Sequence, residues 1–384
     1  MSPTSPRSVS TGRSGSSRAL ELEQLADLYL KRHEERAREI TRFWAGETSF
    51  LVVQRPSYHL WGQCNSVEEV YANNLRHMES WLSMQWTDEL PHLQAWFGTG
   101  VYATAFGCEY LWRQGEAPDS HVRFHGIEEV RGLPMPDWRK SAVMGMVLDC
   151  IDALKERTRG KIPIALTDTQ SPCDTATLVL DTSEFFTACY TEEETVSELL
   201  GTITELIIEF SGEQARRIGE GLVSRPGHVM PSLPGLRGIT LSDDNLAVSS
   251  PHINEKFSLR FNERIAREMG GVAVHSCGVW DHTMRLLPGR GVIAVDCSVS
   301  PRWDPTPMTP EMVRSALGGT GIAVKARCGG TRDEIEHAIS ALAGPDMRVI
   351  LDIARIDEDE AVYARTAERN YKRARDMLAR ASGS

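Results

Sequence analysis

Short apolar runs rich in β-branched residues alternate along this chain with longer amphipathic stretches. Beyond residue 90 the runs predict buried strands at 92–98, 162–166, 238–241, 271–275, 292–296, 321–325 and 348–352. The stretches predict helices near 137–158, 171–180, 183–189, 192–219, 251–269 and 358–381. In the 192–219 stretch, Val196, Leu199, Leu200, Ile203, Leu206, Ile207 and Phe210 share one face, and Thr191 with Glu194 predicts its capping box. The 251–269 helix is bounded by Ser250 as N-cap, Pro251 in the first turn and Gly270-Gly271 at the exit. Before residue 90 the pattern is helical over 19–45, extended at 51–53 and helical again over 66–84, with Ser66 and Glu69 at its start. Residues 98–134 show no period and are rich in glycine and aromatics, which suits a loop over a site.

Strands that alternate with helices imply a parallel sheet. The units number about eight when the early strands are included, which predicts an α/β fold of the closed (β/α)8 TIM-barrel type rather than an open doubly wound sheet. No GxGxxG follows the first strand, as a dinucleotide-binding fold would require. The expected organisation is a disordered tail at 1–18, an N-terminal helical extension at 19–90 and the barrel at 91–384. The tail is rich in Ser, Arg, Pro and Gly, with almost nothing apolar to bury.

Composition narrows the function. A net charge of -11 opposes non-specific binding to nucleic acid or to an anionic membrane. No apolar run approaches the ~18 residues that span a bilayer. Eight cysteines without a CxxC pair suit reduced thiols in a cytoplasmic protein.

Chemistry gathers at predicted strand ends, where barrel enzymes place their sites. Asp168 and Gln170 follow one strand, Asp243 and Asp244 the next, then His275 and Cys277, Asp296 and Cys297, Arg327 and Cys328, and Asp352. Side chains alternate faces along a strand, so the imidazole of His275 and the thiol of Cys277 leave the same side. Imidazole and thiolate are ligands that zinc favours, and a site needs at least a third. Cys328, Cys297, Asp352 and Asp244 are the candidates, with Cys328 favoured as a thiol at a strand end. Asp168 and Asp244 are the candidate catalytic carboxylates. Trp96, Trp112 and Trp280 are candidates to stack a flat macrocycle.

The series Leu241-Ser242-Asp243-Asp244, Ser249-Ser250-Pro251, the helix through Phe257, and Val274-His275-Ser276-Cys277-Gly278 resembles the uroporphyrinogen decarboxylase superfamily. Within it the chain is most similar to the cobalamin-dependent, methylcobamide:coenzyme M type methyltransferase branch. Phe97-Gly98 and Ala105-Phe106-Gly107-Cys108-Glu109 also look like that branch. The resemblance spans 50–382 and implies a (β/α)8 barrel in which a His-x-Cys pair and a later cysteine bind zinc. The zinc would activate a thiol acceptor, which would take a methyl group from a corrinoid. It implies His275 and Cys277 as ligands, a small thiol or methylated substrate and a corrinoid protein as partners, and a homodimer. The family's second cysteine lies near the last strand, where this chain reads Leu351-Asp352-Ile353-Ala354-Arg355; Cys328 lies one strand earlier. Two alternatives remain open. One is a metal-independent decarboxylase-like lyase built on Asp168, Asp244 and Arg55, although Phe50–Pro56 holds one arginine where the decarboxylase has a pair. The other is a non-catalytic barrel that binds a tetrapyrrole or corrinoid.

Overall fold

A computed structural model describes residues 22–54, 64–113, 116–223, 230–357 and 359–382. The expected tail at 1–18 and Arg55 lie outside them. Among the described residues the strands are β1 (Phe50–Gln54), β2 (Leu93–Gln94), β3 (Glu109–Leu111), β4 (Asp119–His121), β5 (Ile164–Ala165), β6 (Leu222–Val223), β7 (Ile239–Ser242), β8 (Val272–His275), β9 (Val292–Ser298), β10 (Ala323–Cys328) and β11 (Arg348–Ile353). Six run parallel in the order β1-β11-β10-β9-β8-β7, and three more in the order β2-β5-β6. The Gln170–Ser242 bridge joins the two sets, with the Ser171 amide donating to the Ser242 carbonyl at 2.7 Å. The α/β class and the TIM-barrel relationship expected from the pattern both hold. The helices Val67–Ser83, Ala142–Arg157, Glu193–Ile218, Arg260–Met269, Arg332–Leu342 and Glu360–Ser382 pack around the strands through their apolar faces.

Phe50–Gln54, expected within the N-terminal extension, is paired with β11 residue for residue from Phe50–Val349 to Gln54–Ile353. Asp88 ties its other side: the Asp88 amide donates to the Val52 carbonyl at 2.8 Å, and the Val52 amide donates to Asp88 Oδ2 at 2.7 Å. Arg375 of the last helix reaches Asp88 Oδ1 at 2.8 Å. The sheet therefore runs across the expected boundary at residue 90.

Local signals fared unevenly. Ser66 caps the helix Val67–Ser83, accepting from the Glu69 amide at 3.2 Å, but Glu69 turns back to the Asn65 amide at 2.7 Å. Thr191 does not cap the long helix. It closes the helix Thr182–Thr191, with its hydroxyl on the Thr187 carbonyl, and Glu192 alone separates the two helices. Ser250 and Pro251 start a helix as expected, and Gly270 ends it in the left-handed conformation at φ +81°. Unforeseen is a π-helical turn at Asn254–Leu259 inside it. The 98–134 loop contains the β3–β4 hairpin. β9 and β10 continue two and three residues past their expected ends, to Ser298 and Cys328. That extension decides which side chains face inward.

Candidate metal centre

Register builds the centre. Ser242, His275, Asp296 and Lys325 are cross-strand neighbours in one row over β7, β8, β9 and β10. Neighbours in register point to the same face, and this face is the barrel interior. Beyond His275 the chain leaves the strand, and Gly278 turns it at φ +72°. Cys277 is exposed there, while His275 is 1% exposed.

Asp244, His275 and Cys277 place their ligand atoms within 4.8 Å of one another. His275 Nε2 lies 3.5 Å from Cys277 Sγ and 3.8 Å from Asp244 Oδ1. Asp244 Oδ1 also accepts from the Cys277 amide at 2.7 Å, which holds the two loops together. A tetrahedral zinc with nitrogen and sulfur at about 2.0 and 2.3 Å separates those atoms by about 3.5 Å. Spacing and donor chemistry therefore fit a zinc ion with one position left open.

The side chain that completes this cluster is Asp244, not the favoured Cys328. On β10, Lys325 and Arg327 point to the interior, so Cys328 points out, where it is 1% exposed in the surrounding packing. Burial and the nearby Asp352 and Glu334 push its thiol well above the ordinary range. Cys297 is outward by the same parity beside inward Asp296, and burial raises it to about 12. Asp352 faces in, but its Oδ2 sits 3.0 Å from Lys325 Nζ. Among the described residues, these three are absent from the metal-competent cluster.

Behind the centre, His275 Nδ1 is 2.8 Å from Asp296 Oδ1. Asp296 is fully buried, which opposes its charge, yet Lys325 at 2.6 Å and Arg327 at 3.0 Å hold its carboxyl well below the usual range. Sequence reasoning noted Asp296 and Arg327 only as polar strand-end residues and passed over Lys325. Burial raises the Cys277 thiol to about 11, helped by Asp244 and opposed by Arg327.

Asp168 is 5% exposed, with the Trp96 indole 3.4 Å from Oδ2 and no hydrogen-bond partner for Oδ1. Burial pushes its carboxyl up; His275 draws it down and Asp244 raises it. It is a buried carboxyl that feels the charges of both His275 and Asp244. Asp243 points away from Asp244 to Ser258 and Asn262 in and beyond the π-helical turn, with Asn262 Nδ2 at 2.8 Å. Burial raises it to about 6. Asp174 accepts the Asp244 and Asn245 amides at 2.8 and 3.0 Å, which fixes the loop that carries Asp244. Of the three tryptophans, Trp280 is fully buried and Trp96 nearly so, while Trp112 lies edge-on to Tyr110 at 4.9 Å. Trp280 is core packing and offers no face to a macrocycle.

Residues 95–222 match the uroporphyrinogen decarboxylase family model. That segment, about a third of the chain, is similar to the uroporphyrinogen decarboxylase family. The matched segment holds Trp96 and Asp168, whereas the triad lies in the second half of the barrel, beyond it. A methyltransferase from Methanosarcina mazei has a similar fold, with a TM-score of 0.63 over 88% of this chain and 98% of that chain, at 14% identity. No curated protein matches this sequence. Among the described residues, no helix is long and apolar enough to cross a membrane.

Proposed function

We propose that this protein is a cytoplasmic methyltransferase of the uroporphyrinogen decarboxylase superfamily that moves a methyl group from a corrinoid carrier to a small thiol held at a zinc site. The observation that carries this reading is the Asp244–His275–Cys277 triad, spaced for a tetrahedral ion at the mouth of the barrel. The similar fold of a methyltransferase supports it.

Asp244, His275 and Cys277 would hold the ion, and Asp296 orients the imidazole from behind. When bound, zinc supplies acidity: it deprotonates a coordinated thiol at neutral pH, so a nucleophile is present where water would leave it protonated. Arg327, beside Cys277, offsets the negative charge that collects there. Asp168, buried beside Trp96, is the carboxyl that would take or give a proton as the acceptor enters. A corrinoid protein would dock over the exposed side of Cys277.

Metal content of the purified chain, with methyl transfer from methylcobalamin to a panel of thiols, tests the reading. It expects one zinc per chain, lost in His275→Ala along with transfer. A metal-free protein with intact turnover in His275→Ala would sink it. The match to the decarboxylase family model over 95–222 favours a second reading, a metal-independent carboxy-lyase using Asp168. Carbon dioxide release by chelator-stripped protein would select that one.

A further inference from the structure

Lys325 has no exposed surface, although it stands in the middle of a strand that fills the barrel interior. Lysine is almost never fully buried unless paired. Here it is paired twice: Nζ lies 2.6 Å from Asp296 Oδ2 and 3.0 Å from Asp352 Oδ2. The other oxygen of Asp296 faces His275 Nδ1 at 2.8 Å and Arg327 Nε at 3.0 Å. The row His275, Asp296, Lys325 follows strand register across β8, β9 and β10, so backbone pairing fixes the order of the three groups.

Stability alone does not account for such a row, since apolar residues of the same volume fill a barrel at less desolvation cost. Its geometry suits another task. A neutral imidazole carries its proton on one nitrogen and offers a lone pair on the other. The Nε2 of His275 faces Cys277 and Asp244, so it must be the bare nitrogen if it is to be a ligand. A carboxylate that turns freely about its terminal torsion enforces this poorly, because that torsion is broad.

We propose that Lys325 is a positioning residue for the metal centre: by gripping Asp296 from the side opposite His275, and anchoring itself on Asp352, it locks the carboxylate that keeps the proton of His275 on Nδ1. This deepens the metal reading above and rests on it for its purpose, but the tautomer is a property of the metal-free chain.

The test uses ¹⁵N NMR of the histidine ring in metal-free protein, with the His275 signal assigned by its loss in His275→Gln, together with the affinity for Co²⁺. The parent is expected to show the Nδ1–H form alone. Lys325→Met should give a mixture of tautomers and bind Co²⁺ about 10- to 100-fold more weakly, the usual effect of losing an outer partner of a ligand. Lys325→Met leaves Asp296 and Asp352 short of a cation, so the double variant Lys325→Met/Asp352→Asn, which removes one charge of each sign, is measured beside it. A folded double variant that keeps the pure Nδ1–H form and the parent affinity overturns the proposal. Failure of both variants to fold overturns it as well, since Lys325 is then a support of the fold. A parent that binds no Co²⁺ sinks the metal reading, while the tautomer comparison still decides this one.

Discussion

Asp296 Oδ1 lies 2.8 Å from His275 Nδ1, and both side chains are buried from water. The pair orients the histidine at a strand end, because an imidazole that donates from Nδ1 turns Nε2 to the mouth, where a metal ligand would be needed. Asp296 also neutralises Lys325 and Arg327. Asp296→Asn therefore strands buried cations, and chemical denaturation should register a loss of about 3–5 kcal/mol. A change below about 1 kcal/mol would mean that the three groups do not act as a unit.

Asp244, and not Cys328, is expected to govern metal content. Asp244→Ala should leave the folded protein with little zinc by elemental analysis, as should Cys277→Ser. Cys328→Ser should keep the full complement, because its side chain points out of the barrel. Zinc lost in Cys328→Ser and kept in Asp244→Ala would reverse this assignment.

His275 and Cys277 were legible in the sequence because a strand ended visibly at Val274-His275 and a glycine followed. Asp244 was one of four candidates to join them, and Cys328 was preferred to it, for a reason of parity. Ending β10 at residue 325 made Arg327 and Cys328 look like mouth residues of equal standing. The strand in fact runs to Cys328, so alternation sends Arg327 in and Cys328 out. Lys325 escaped notice because a lysine within an apolar run looks like a solvent-facing position, and its two carboxylate partners come from other strands. The strand Phe50–Gln54 was legible as a strand. Its place beside β11 was not, since that pairing joins residues about three hundred positions apart in sequence. The π-helical turn has no period of its own to betray it.

Acid should weaken the outer helical layer through Glu213. Its carboxylate accepts from Arg216 and Arg217, and these bonds lower it to about 2. Arg217 goes on to Asp152 at 2.6 Å, which links the helices Glu193–Ile218 and Ala142–Arg157. A carboxylate lowered on folding stabilises the fold above its unfolded value near 4.3 and loses that contribution as the pH falls towards 2. The group lies near the surface, so its share is below about 1 kcal/mol. Glu213→Gln should reduce stability slightly at pH 7 and flatten the decline between pH 4.5 and 2 in urea titrations. An unchanged acid limb would count against this linkage.

Cys277 should be reachable yet slow to react in metal-free protein. It is the exposed thiol of the chain; the other seven cysteines are buried. Burial of its sulfur, reinforced by Asp244, raises the thiol to about 11 and so keeps it protonated at neutral pH. Only the thiolate attacks iodoacetamide. The alkylation rate, followed by mass spectrometry on native protein, should therefore climb tenfold per pH unit from pH 8 to pH 10. Arg327 opposes the upward shift, so Arg327→Gln should push the curve further to alkaline pH. Zinc should protect Cys277 by occupying its sulfur, and Asp244→Ala should abolish that protection. A rate already at plateau near pH 8 would show a thiolate held by some other group and would remove the basis for Arg327 as its counter-charge.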